Sequence, residues 1–394
     1  MKPGPRIHDP LAEAEFETIC SQYGDDYAAR FGAAAPAIYQ TSTFIYPSAE
    51  AFETRKSEDC PHYDYTRGGN PTASILEGKL ARLERGNWCE SFGSGMGAIA
   101  AAINIAIHSG AHVVCAGHAY GPARWYLQHM QRFGVETTFV RGVDMDTFRA
   151  ALRPNTKLVY LESPTSGWFE VLDIAALADI ARRHGAMSIC DNSWASPYYQ
   201  NPLELGADLV VHSATKFIGG HSDVVAGVLM GRDEQIHQRV FREIELGGAT
   251  LDPFGAWLLL RGLRTLPVRM RQHRESALRI ATFLESHAAV ARVHHPGLPS
   301  HSQHALAMRQ MRGTGSLFSF EPRVQTREAT YAIVNALKLF SIGVSWGGYE
   351  SLVLGGSFFS DPGEPRWLIR LHIGLESTND LIADLQQALG SRHA

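Results

Sequence analysis

Short apolar runs alternate with longer helical segments along much of the chain, and this pattern limits the fold more than any other feature. The apolar runs lie at residues 112–116, 136–140, 158–162, 186–191, 208–213 and 224–231. Such alternation is typical of a mainly parallel sheet with helices on both faces. The sequence therefore predicts an α/β fold, in which ligands bind at the carboxyl ends of the strands.

The segments before and after this region have different patterns. Residues 1–64 begin with a helical segment and continue into an extended one at 36–44, so we interpret them as an arm. Beyond residue 255, an amphipathic helix leads into further strands and helices, which predict a smaller C-terminal α/β domain. We accordingly divide the chain into an arm (1–64), a central domain (65–255) and a C-terminal domain (256–394).

The composition indicates a globular protein without a nucleic-acid or membrane partner. Hydrophobic residues make up 45% and charged residues 19% of the 394 residues, which is enough apolar sequence for two or more domains. A net charge of −4 without a basic stripe argues against nucleic acid. No apolar stretch approaches the roughly 18 residues of a membrane span, and residues 1–10 lack the apolar core of a signal peptide. We therefore expect a cytoplasmic enzyme.

The cysteine and histidine patterns predict neither a disulfide framework nor a metal site. The five cysteines are scattered without any C-x-x-C spacing. A histidine-rich segment at 294–304 is broken by proline and glycine, so it cannot present a helical pair of ligands. We therefore predict a solvated loop there and no bound metal.

Lys216 is the residue that most clearly indicates chemistry. It follows the apolar run 208–213, has small hydroxyl residues beside it, and precedes a polar turn at 217–223. An ammonium group at the mouth of a buried strand loses its charge more readily, so it can act as a Schiff-base nucleophile or general base. A solvated loop lysine is the alternative, because most lysines are exposed.

A glycine-rich turn at 91–98 leads into a helical segment at 99–107. The free amides and positive dipole end of such a helix suit a phosphate group. Gly93, Gly95 and Ala98 also match a loose dinucleotide motif, so a nicotinamide oxidoreductase is a rival interpretation. The next apolar run ends without the acidic residue that would bind a ribose, which weakens this rival.

Three further side chains each have a functional and a structural interpretation. Asp191 ends an apolar run, where its carboxylate could keep a pyridine nitrogen protonated or simply cap a turn. Tyr120 follows the run 112–116 and could stack on a cofactor ring or pack against the protein. Arg370 lies within an apolar run, where its guanidinium needs a carboxylate from a substrate or from a structural ion pair.

These residues, together with several longer motifs, resemble the pyridoxal-phosphate enzymes of cysteine and methionine metabolism, which have the aminotransferase-like fold type I. The resemblance extends over about residues 36–390, and within the family the chain is most similar to bacterial cystathionine β-lyase. The motifs that carry it are YDYTRGGNPT at 63–72, SATK at 213–216, HSD at 221–223, RGLRTL at 261–266 and SWGGYESL at 345–352.

The resemblance implies a pyridoxal 5'-phosphate site in the central domain. It implies that Lys216 forms the Schiff base, Asp191 pairs with the pyridine nitrogen and Tyr120 stacks on the ring. The residues implied for the phosphate are Gly95, Met96, Ser213 and Thr215, with Tyr65 and Arg67 from the neighbouring subunit. Those implied for the substrate carboxylate are Arg370, Ser345 and Trp346. A shared site implies a homo-oligomer, usually a tetramer built as a dimer of dimers.

Individual positions are similar to different members of the family. Val344 is similar to methionine γ-lyase-like members, whereas Trp346 is similar to β-lyases. Pro122 replaces the cysteine of methionine γ-lyases, which counts against that activity. Residues 162–166 lack the asparagine that many relatives place near the phenolic oxygen of the cofactor, and the β-lyases that this chain resembles lack it too. The sequence assigns no role to Arg124.

We therefore predict a trans-sulfuration lyase of methionine biosynthesis that cleaves the amino acid cystathionine by β-elimination. The amine of Lys216 removes the Cα proton, homocysteine leaves, and the remainder hydrolyses to pyruvate and ammonia. The alternative within the family is a γ-lyase acting on a γ-substituted amino acid such as methionine or cystathionine. The alternatives outside the family are the nicotinamide oxidoreductase and a cofactor-free binding protein.

Overall fold

The computed structural model describes residues 11, 13–26, 31–55, 63–357 and 366–390, and these form two β-sheets surrounded by helices. The helices are α1 (Phe16–Gln22), α2 (Ala49–Glu53), α3 (Pro71–Leu83), α4 (Gly95–Ala106), α5 (Gly121–His129), α6 (Met145–Ala151), α7 (Ile174–His184), α8 (Ser196–Tyr199), α9 (Glu234–Gly247), α10 (Pro253–Arg264), α11 (Leu266–Glu285), α12 (His304–Gln310), α13 (Arg327–Ala336) and α14 (Thr378–Gly390). The strands are β1 (Trp88–Phe92), β2 (His112–Ala116), β3 (Glu136–Val140), β4 (Thr156–Glu162), β5 (Met187–Asp191), β6 (Leu209–His212), β7 (Gly227–Gly231), β8 (Val290–His294), β9 (Leu317–Pro322), β10 (Ser341–Ile342), β11 (Leu352–Gly356) and β12 (Leu368–His372).

The larger sheet confirms the predicted parallel architecture. Its seven strands have the order β1-β7-β6-β5-β4-β2-β3, and β7 runs antiparallel to both of its neighbours. The six predicted apolar runs correspond to β2 through β7. The sequence did not predict β1, because Glu90 and Ser91 interrupt its apolar pattern. Both are buried and satisfied, since Glu90 pairs with His237 at 2.9 Å and Ser91 donates to Glu77 at 2.7 Å.

Helices cover both faces of this sheet. Successive residues of β7 belong alternately to two hydrophobic cores, one on each face. Leu229 belongs to the core that contains α4, α7 and α9. Its neighbours Val228 and Met230 belong to the opposite core, which contains α3 and α10. Successive side chains of a strand point to opposite faces, so a strand that is buried on both sides has a continuous apolar sequence.

The second sheet has five strands in the order β10-β11-β12-β9-β8 and confirms the predicted smaller C-terminal α/β unit. Its core joins Phe318 and Ile369 of the sheet to Ile280 of α11 and Leu385 of α14. The domain boundaries at 64 and 255 stay predictions.

The N-terminal region is anchored at one place and exposed at another. Helix α1 buries Ile19 and Cys20 against the core that contains α3. Nearby, Lys79 Nζ lies 3.3 Å from Asp25 Oδ2, and both side chains are at most 1% exposed. Residues 37–43 are exposed and lie outside the helices and strands. The predicted arm stays a prediction. The predictions that concern residues 1–10 and Cys60 fall outside the described residues.

Residues 295–303 form the predicted loop, but the prediction that the histidines of 294–304 are solvated is wrong. His294, His295 and His301 are each at most 7% exposed. His294 pairs with Glu321 at 2.8 Å, and the ring of His295 packs edge-on against Phe318. Burial lowers the pKa of His295 to about 3, so it remains a neutral ring that packs as an apolar group. In the described part of the chain, no group of three potential ligands could hold a metal ion.

A membrane span requires a helix that is both long and apolar. Among the helices of the described ranges, none has the length and the hydropathy needed to cross a bilayer.

Candidate active site

The carboxyl ends of three neighbouring parallel strands form the centre of the site. Glu162 ends β4 and Asp191 ends β5, and the two residues are partners in the register of the sheet. Asp191 is in turn paired with Val211 of β6, and the Lys216 turn begins two residues later. The topology therefore brings Asp191 and Lys216 together, as the strand pattern predicts.

Lys216 lies on a turn that is fixed to the start of β7. Its backbone N–H donates to the Ser213 carbonyl at 3.0 Å. Its Nζ donates to Ser345 Oγ at 2.7 Å and lies 5.4 Å from the ring of Trp346. Burial, and next the positive charge of Arg370, lower the pKa of Lys216 to about 8. A solvated loop lysine is therefore ruled out, and the amine can lose its proton near neutral pH.

Asp191 presents one carboxylate oxygen to the protein. Its Oδ1 accepts hydrogen bonds from the backbone N–H and the hydroxyl of Ser193, at 2.9 and 2.6 Å. The same Ser193 hydroxyl accepts the backbone N–H of Ser213 at 2.7 Å. Burial raises the pKa of Asp191, while the Ser193 hydrogen bonds, His212 and Lys216 oppose that shift. Within the described residues, Oδ2 receives no hydrogen bond, so it can accept one from a ligand.

Tyr120 precedes α5 and lies beside the same strand ends. Its backbone N–H donates to Glu162 Oε2 at 2.5 Å, and its side chain is 43% exposed. Burial raises the pKa of Tyr120, and Asp191 and Glu162 raise it further, whereas Arg370 lowers it. A half-exposed ring over the end of a sheet is available to stack on a cofactor.

A narrow cradle lies between the start of α4 and Ser213. The hydroxyl of Ser94 caps this helix by accepting the N–H of Gly97 at 3.0 Å. The N–H groups of Gly95 and Met96 have no partner inside the helix, because they belong to its first turn. A Cβ atom on Gly95 would lie 2.9 Å from Ser213 Oγ, so only glycine allows this close approach. The free amides and the hydroxyl suit a phosphate group.

Thr215, which the resemblance also implied for the phosphate, has a structural partner in this structure. Its hydroxyl donates to the Ala226 carbonyl at 3.1 Å and accepts the Ala226 N–H at 2.9 Å. The side chain thus fixes the Lys216 turn to the segment before β7. Its predicted contact with phosphate stays a prediction.

Arg370 lies on β12 beside the loop that carries Ser345. Its NH2 donates to the Val344 carbonyl at 2.7 Å. Burial lowers the pKa of Arg370 to about 10, yet no acidic side chain in the described ranges forms an ion pair with it. The structural ion pair that the sequence allowed is therefore absent from the described residues, which favours a carboxylate from a ligand.

Tyr65 and Arg67 lie beside Thr250, whose hydroxyl donates to the Arg67 carbonyl at 3.1 Å. Tyr65 precedes the 3-10 helix Thr66–Gly68, and Arg67 is its middle residue. Tyr65 is 48% exposed. Across the described ranges, no hydrogen bond, ion pair or ring contact joins them to Lys216, Asp191 or Ser213. They line a cavity of about 470 Å³ with Gln40, Thr41, Ser42, Thr66, Gly248, Thr250, Leu251, Asp252 and Pro253. Their predicted role across a subunit boundary stays a prediction.

Arg124, which the sequence left unassigned, has an aromatic neighbour on the larger sheet. Its guanidinium lies 5.4 Å from the centre of the Phe139 ring on β3. It therefore packs against β3 of the larger sheet.

Two residues of the site were not predicted from the sequence. Glu162 has the same signal as Asp191, a carboxylate at the end of an apolar run, but it was singled out only as part of a segment that lacks asparagine. His372 has no such signal. It is completely buried, accepts the N–H of Gly347 at 3.0 Å and thereby fixes the loop that contains Ser345 and Trp346.

Comparison with known proteins agrees with this geometry. The sequence model of the family described as "Cys/Met metabolism PLP-dependent enzyme" matches residues 17–390. The chain is 42% identical to the L-methionine gamma-lyase of Treponema denticola over 374 residues, covering 91% of this chain and 93% of that protein. It is 38% identical to the cystathionine gamma-lyase of Bacillus subtilis over 369 residues, covering 91% and 94%. The crystal structure of metB from Corynebacterium glutamicum superposes with a TM-score of 0.90 at 36% identity, covering 96% and 98%.

The arrangement fits pyridoxal 5'-phosphate in three independent places. The glycine cradle suits the phosphate, the free oxygen of Asp191 suits the pyridine nitrogen, and the desolvated amine of Lys216 suits the aldehyde. The family match leaves the nicotinamide and cofactor-free alternatives without support. Because the family model covers most of the chain and the relatives exceed one third identity, the chain belongs to the Cys/Met metabolism PLP-dependent enzymes, and its cofactor is pyridoxal phosphate.

Proposed function

We propose that the protein is a γ-lyase, which removes the γ-substituent of a sulfur-containing amino acid such as methionine or cystathionine. The observation that carries this proposal is the likeness to proteins named for the γ position, at 38–42% identity over nearly the whole chain. This likeness favours the alternative over the β-elimination of cystathionine that the sequence predicts. The γ-lyase therefore replaces β-elimination as the main proposal.

The substrate carboxylate would bind to Arg370. The guanidinium is half-buried, is oriented by the Val344 carbonyl, and has no acidic partner among the described residues. Arginine binds carboxylates in a fixed planar geometry, so it can orient the Cα–H bond of the substrate. Ser345 and Trp346 lie next to both Arg370 and Lys216 and would define the position of the substrate between them.

Lys216 would act as the base. When bound, pyridoxal phosphate supplies an electron-accepting ring that stabilises negative charge on the substrate carbons. With a pKa of about 8, about one amine in ten is neutral at pH 7. The amine can then remove a proton from Cα and, for a γ-elimination, a second proton from Cβ.

Tyr120 would act as the acid for the leaving group. Burial and the neighbouring carboxylates raise its pKa, so the phenol keeps its proton at neutral pH. A protonated phenol beside the site can donate that proton to the departing sulfur. Its aromatic face remains available for the cofactor ring.

The complete reaction balances with one molecule of water. For methionine, the Cγ–S bond breaks, methanethiol takes up a proton, and the remaining four carbons become 2-oxobutanoate and ammonia. The predicted role in methionine biosynthesis belongs to the β-elimination, because a γ-lyase that acts on methionine consumes it. The cytoplasmic location stays a prediction.

The keto acid formed from cystathionine distinguishes the two eliminations. A γ-lyase releases 2-oxobutanoate and cysteine, whereas a β-lyase releases pyruvate and homocysteine. Purified holoenzyme should be incubated with cystathionine and with methionine, and the keto acids identified by mass spectrometry, with Lys216→Ala as the inactive control. Pyruvate as the sole keto acid from cystathionine would overturn the proposal.

The proposal includes a homo-oligomer in which Tyr65 and Arg67 complete the site of a neighbouring subunit. Mixing two inactive variants, Lys216→Ala and Arg67→Ala, tests this directly. Half of randomly mixed dimers are mixed, and each mixed dimer has one intact site, so about a quarter of the sites should recover activity. A mixture without recovered activity, although native mass spectrometry shows mixed oligomers, would exclude the shared site.

A further inference from the structure

Glu162 lies at the centre of the site but has no part in the proposed mechanism. It is 9% exposed, and Asp191, its partner in the register of the sheet, is 7% exposed. Paired residues on adjacent parallel strands point to the same face of a sheet. Neither carboxyl group has an ion-pair partner among the described residues. The sheet thus holds two buried acidic groups side by side.

The hydrogen bonds of the two groups point in different directions. Glu162 uses both oxygens for the protein: Oε2 accepts the Tyr120 N–H at 2.5 Å, and Oε1 lies 2.6 Å from the Ser166 hydroxyl, which can donate to a carboxylate or accept the proton of a carboxylic acid. Asp191 receives both of its hydrogen bonds on Oδ1, from Ser193. Asp191 is therefore oriented to bind a ligand, and Glu162 is oriented to hold the protein around it.

The segment that begins at Glu162 connects Tyr120 to the substrate side of the site. Ser166 donates its N–H to the His118 carbonyl at 3.0 Å, and Glu170 pairs with the His118 ring at 2.8 Å. One residue after Ser166, the carbonyl of residue 167 accepts the hydroxyl of Ser319 at 2.5 Å. Ser319 is the register partner of Arg370.

We infer that Glu162 is a positioning residue that keeps its proton at neutral pH. Asp191 alone then carries the negative charge of the pair. The neutral carboxyl group of Glu162 holds the Tyr120 backbone in place. Two adjacent buried carboxyl groups do not both ionise, because like charges repel strongly where water is excluded. The inference rests on the proposed function only in that Asp191 is the member of the pair that faces the cofactor.

The surroundings of Glu162 support this distribution of charge. Burial, and next the charge of Asp191, raise the pKa of Glu162 to about 8. The other titratable groups that face it are Tyr120 before α5, Tyr160 on β4, Cys115 on β2 and Cys190 on β5. Burial raises the pKa of each of these four, so all are neutral at pH 7. Among these groups, Asp191 is therefore the charged one, and its charge adds to the effect of burial on Glu162, whereas the hydrogen bonds from Ser166 and Tyr120 oppose it.

Infrared difference spectroscopy of the holoenzyme tests the inference without reference to any substrate. Raising the pH from about 6.5 to about 9.5, across the Glu162 pKa of about 8, should remove the C=O stretching band of a protonated carboxylic acid. The band should be missing from Glu162→Gln at all pH values. It should persist in Glu84→Gln, a matched control, because Glu84 is also buried but pairs with His212 at 2.8 Å. A wild-type spectrum without the band, or a band that persists in Glu162→Gln, would overturn the inference.

The turnover rates of Glu162→Gln and Glu162→Ala provide a second test. Glutamine has the size and the acceptor oxygen of a neutral carboxyl group, so Glu162→Gln should lower kcat at pH 7 by less than about threefold, and Glu162→Ala by more than about tenfold. Equal losses in the two variants would mean that a charged carboxylate is needed and would refute the inference. If no amino acid is turned over at all, the proposed function fails, while the infrared band still decides the inference.

Discussion

The Nζ atom of Lys216 lies 2.7 Å from the Oγ atom of Ser345, although 129 residues separate the two in the sequence. Lys216 follows a strand of the larger sheet, whereas Ser345 lies in a loop of the smaller one. That loop is fixed by the Arg370 bond to the Val344 carbonyl and by the His372 bond to the Gly347 N–H. The second sheet therefore completes the site by covering the lysine, and this cover removes water from its amine.

The pKa of Lys216 should respond in opposite directions to the loss of its two charged neighbours. Arg370→Met removes a positive charge that disfavours the ammonium form, so the pKa should rise above its value of about 8. Asp191→Asn removes a negative charge that favours it, so the pKa should fall. Competitive labelling of amines as a function of pH, read by mass spectrometry of the apoenzymes, measures both shifts. Lys157 at the opposite end of β4 is the internal control, and a shift of the same sign in both variants would contradict the assignment.

Gly95→Ala should weaken cofactor binding. The added Cβ would lie 2.9 Å from Ser213 Oγ and 3.0 Å from Ser213 Cβ, which closes the phosphate cradle. Overpacking of this kind costs about 1–3 kcal/mol, which is roughly a 5- to 150-fold loss of affinity. Absorbance titration of the apoenzyme with pyridoxal phosphate provides the measurement. Gly78→Ala in α3 is the matched control, since its Cβ would meet nothing within 4 Å, and an equal loss there would rule out the cradle as the cause.

Val344→Glu should shift substrate preference toward cystathionine. Val344 is 80% exposed, and its carbonyl binds Arg370, so the substitution places a carboxylate at the rim of the site without disturbing the core. That charge attracts the distal ammonium group of cystathionine but not the apolar methylthio group of methionine. We expect the ratio of kcat/KM for cystathionine to that for methionine to rise about tenfold. Val344→Thr keeps the shape without the charge, and a similar shift in that variant would disprove the electrostatic explanation.

Removing Asp25 or Lys79, which form the buried ion pair of the N-terminal region, should lower the free energy of unfolding by different amounts. Asp25→Ala leaves the ammonium of Lys79 buried and should lower the free energy of unfolding by about 3–5 kcal/mol. Lys79→Met should cost less, because Arg264 still lies 3.6 Å from the Asp25 carboxylate. Urea denaturation of both variants tests this order. A greater loss for Lys79→Met would show that Asp25 depends on Lys79 alone.

The stability of the apoenzyme should depend on pH through Glu162. Its folded-state pKa is raised from 4.5 to about 8, so the unfolded chain releases this proton first as the pH rises. Glu162 therefore contributes most below pH 4.5, and its contribution is lost progressively up to about pH 8. Glutamine has no proton to release, so the stability of Glu162→Gln relative to wild type should increase over this interval and level off above it. Urea titrations at a series of pH values measure the free energy of unfolding of both proteins. A constant difference between wild type and Glu162→Gln across these pH values would contradict the prediction.

Much of the fold and the centre of the site could be predicted from local sequence. Apolar runs separated by helical segments identify parallel strands, because a strand buried on both faces has a continuous apolar sequence. Parallel strands end at one edge of the sheet, so the strand pattern alone predicts that Asp191 and Lys216 converge. The predictions failed where a polar residue is satisfied by a distant partner, as for Glu90 in β1 and for the buried histidines of 294–304.

The tertiary structure alone decided the contacts that tune these groups. Sequence spacing does not reveal that Ser345 covers Lys216, that Asp191 shares its register with Glu162, or that Gly95 approaches Ser213 too closely for a Cβ. Each depends on how two distant segments pack, and packing sets the burial and the neighbouring charge on which a pKa depends. The sequence therefore determined which chemical groups are present and at which sheet edge they meet, whereas the folded arrangement decided which of them carry charge and what each can bind.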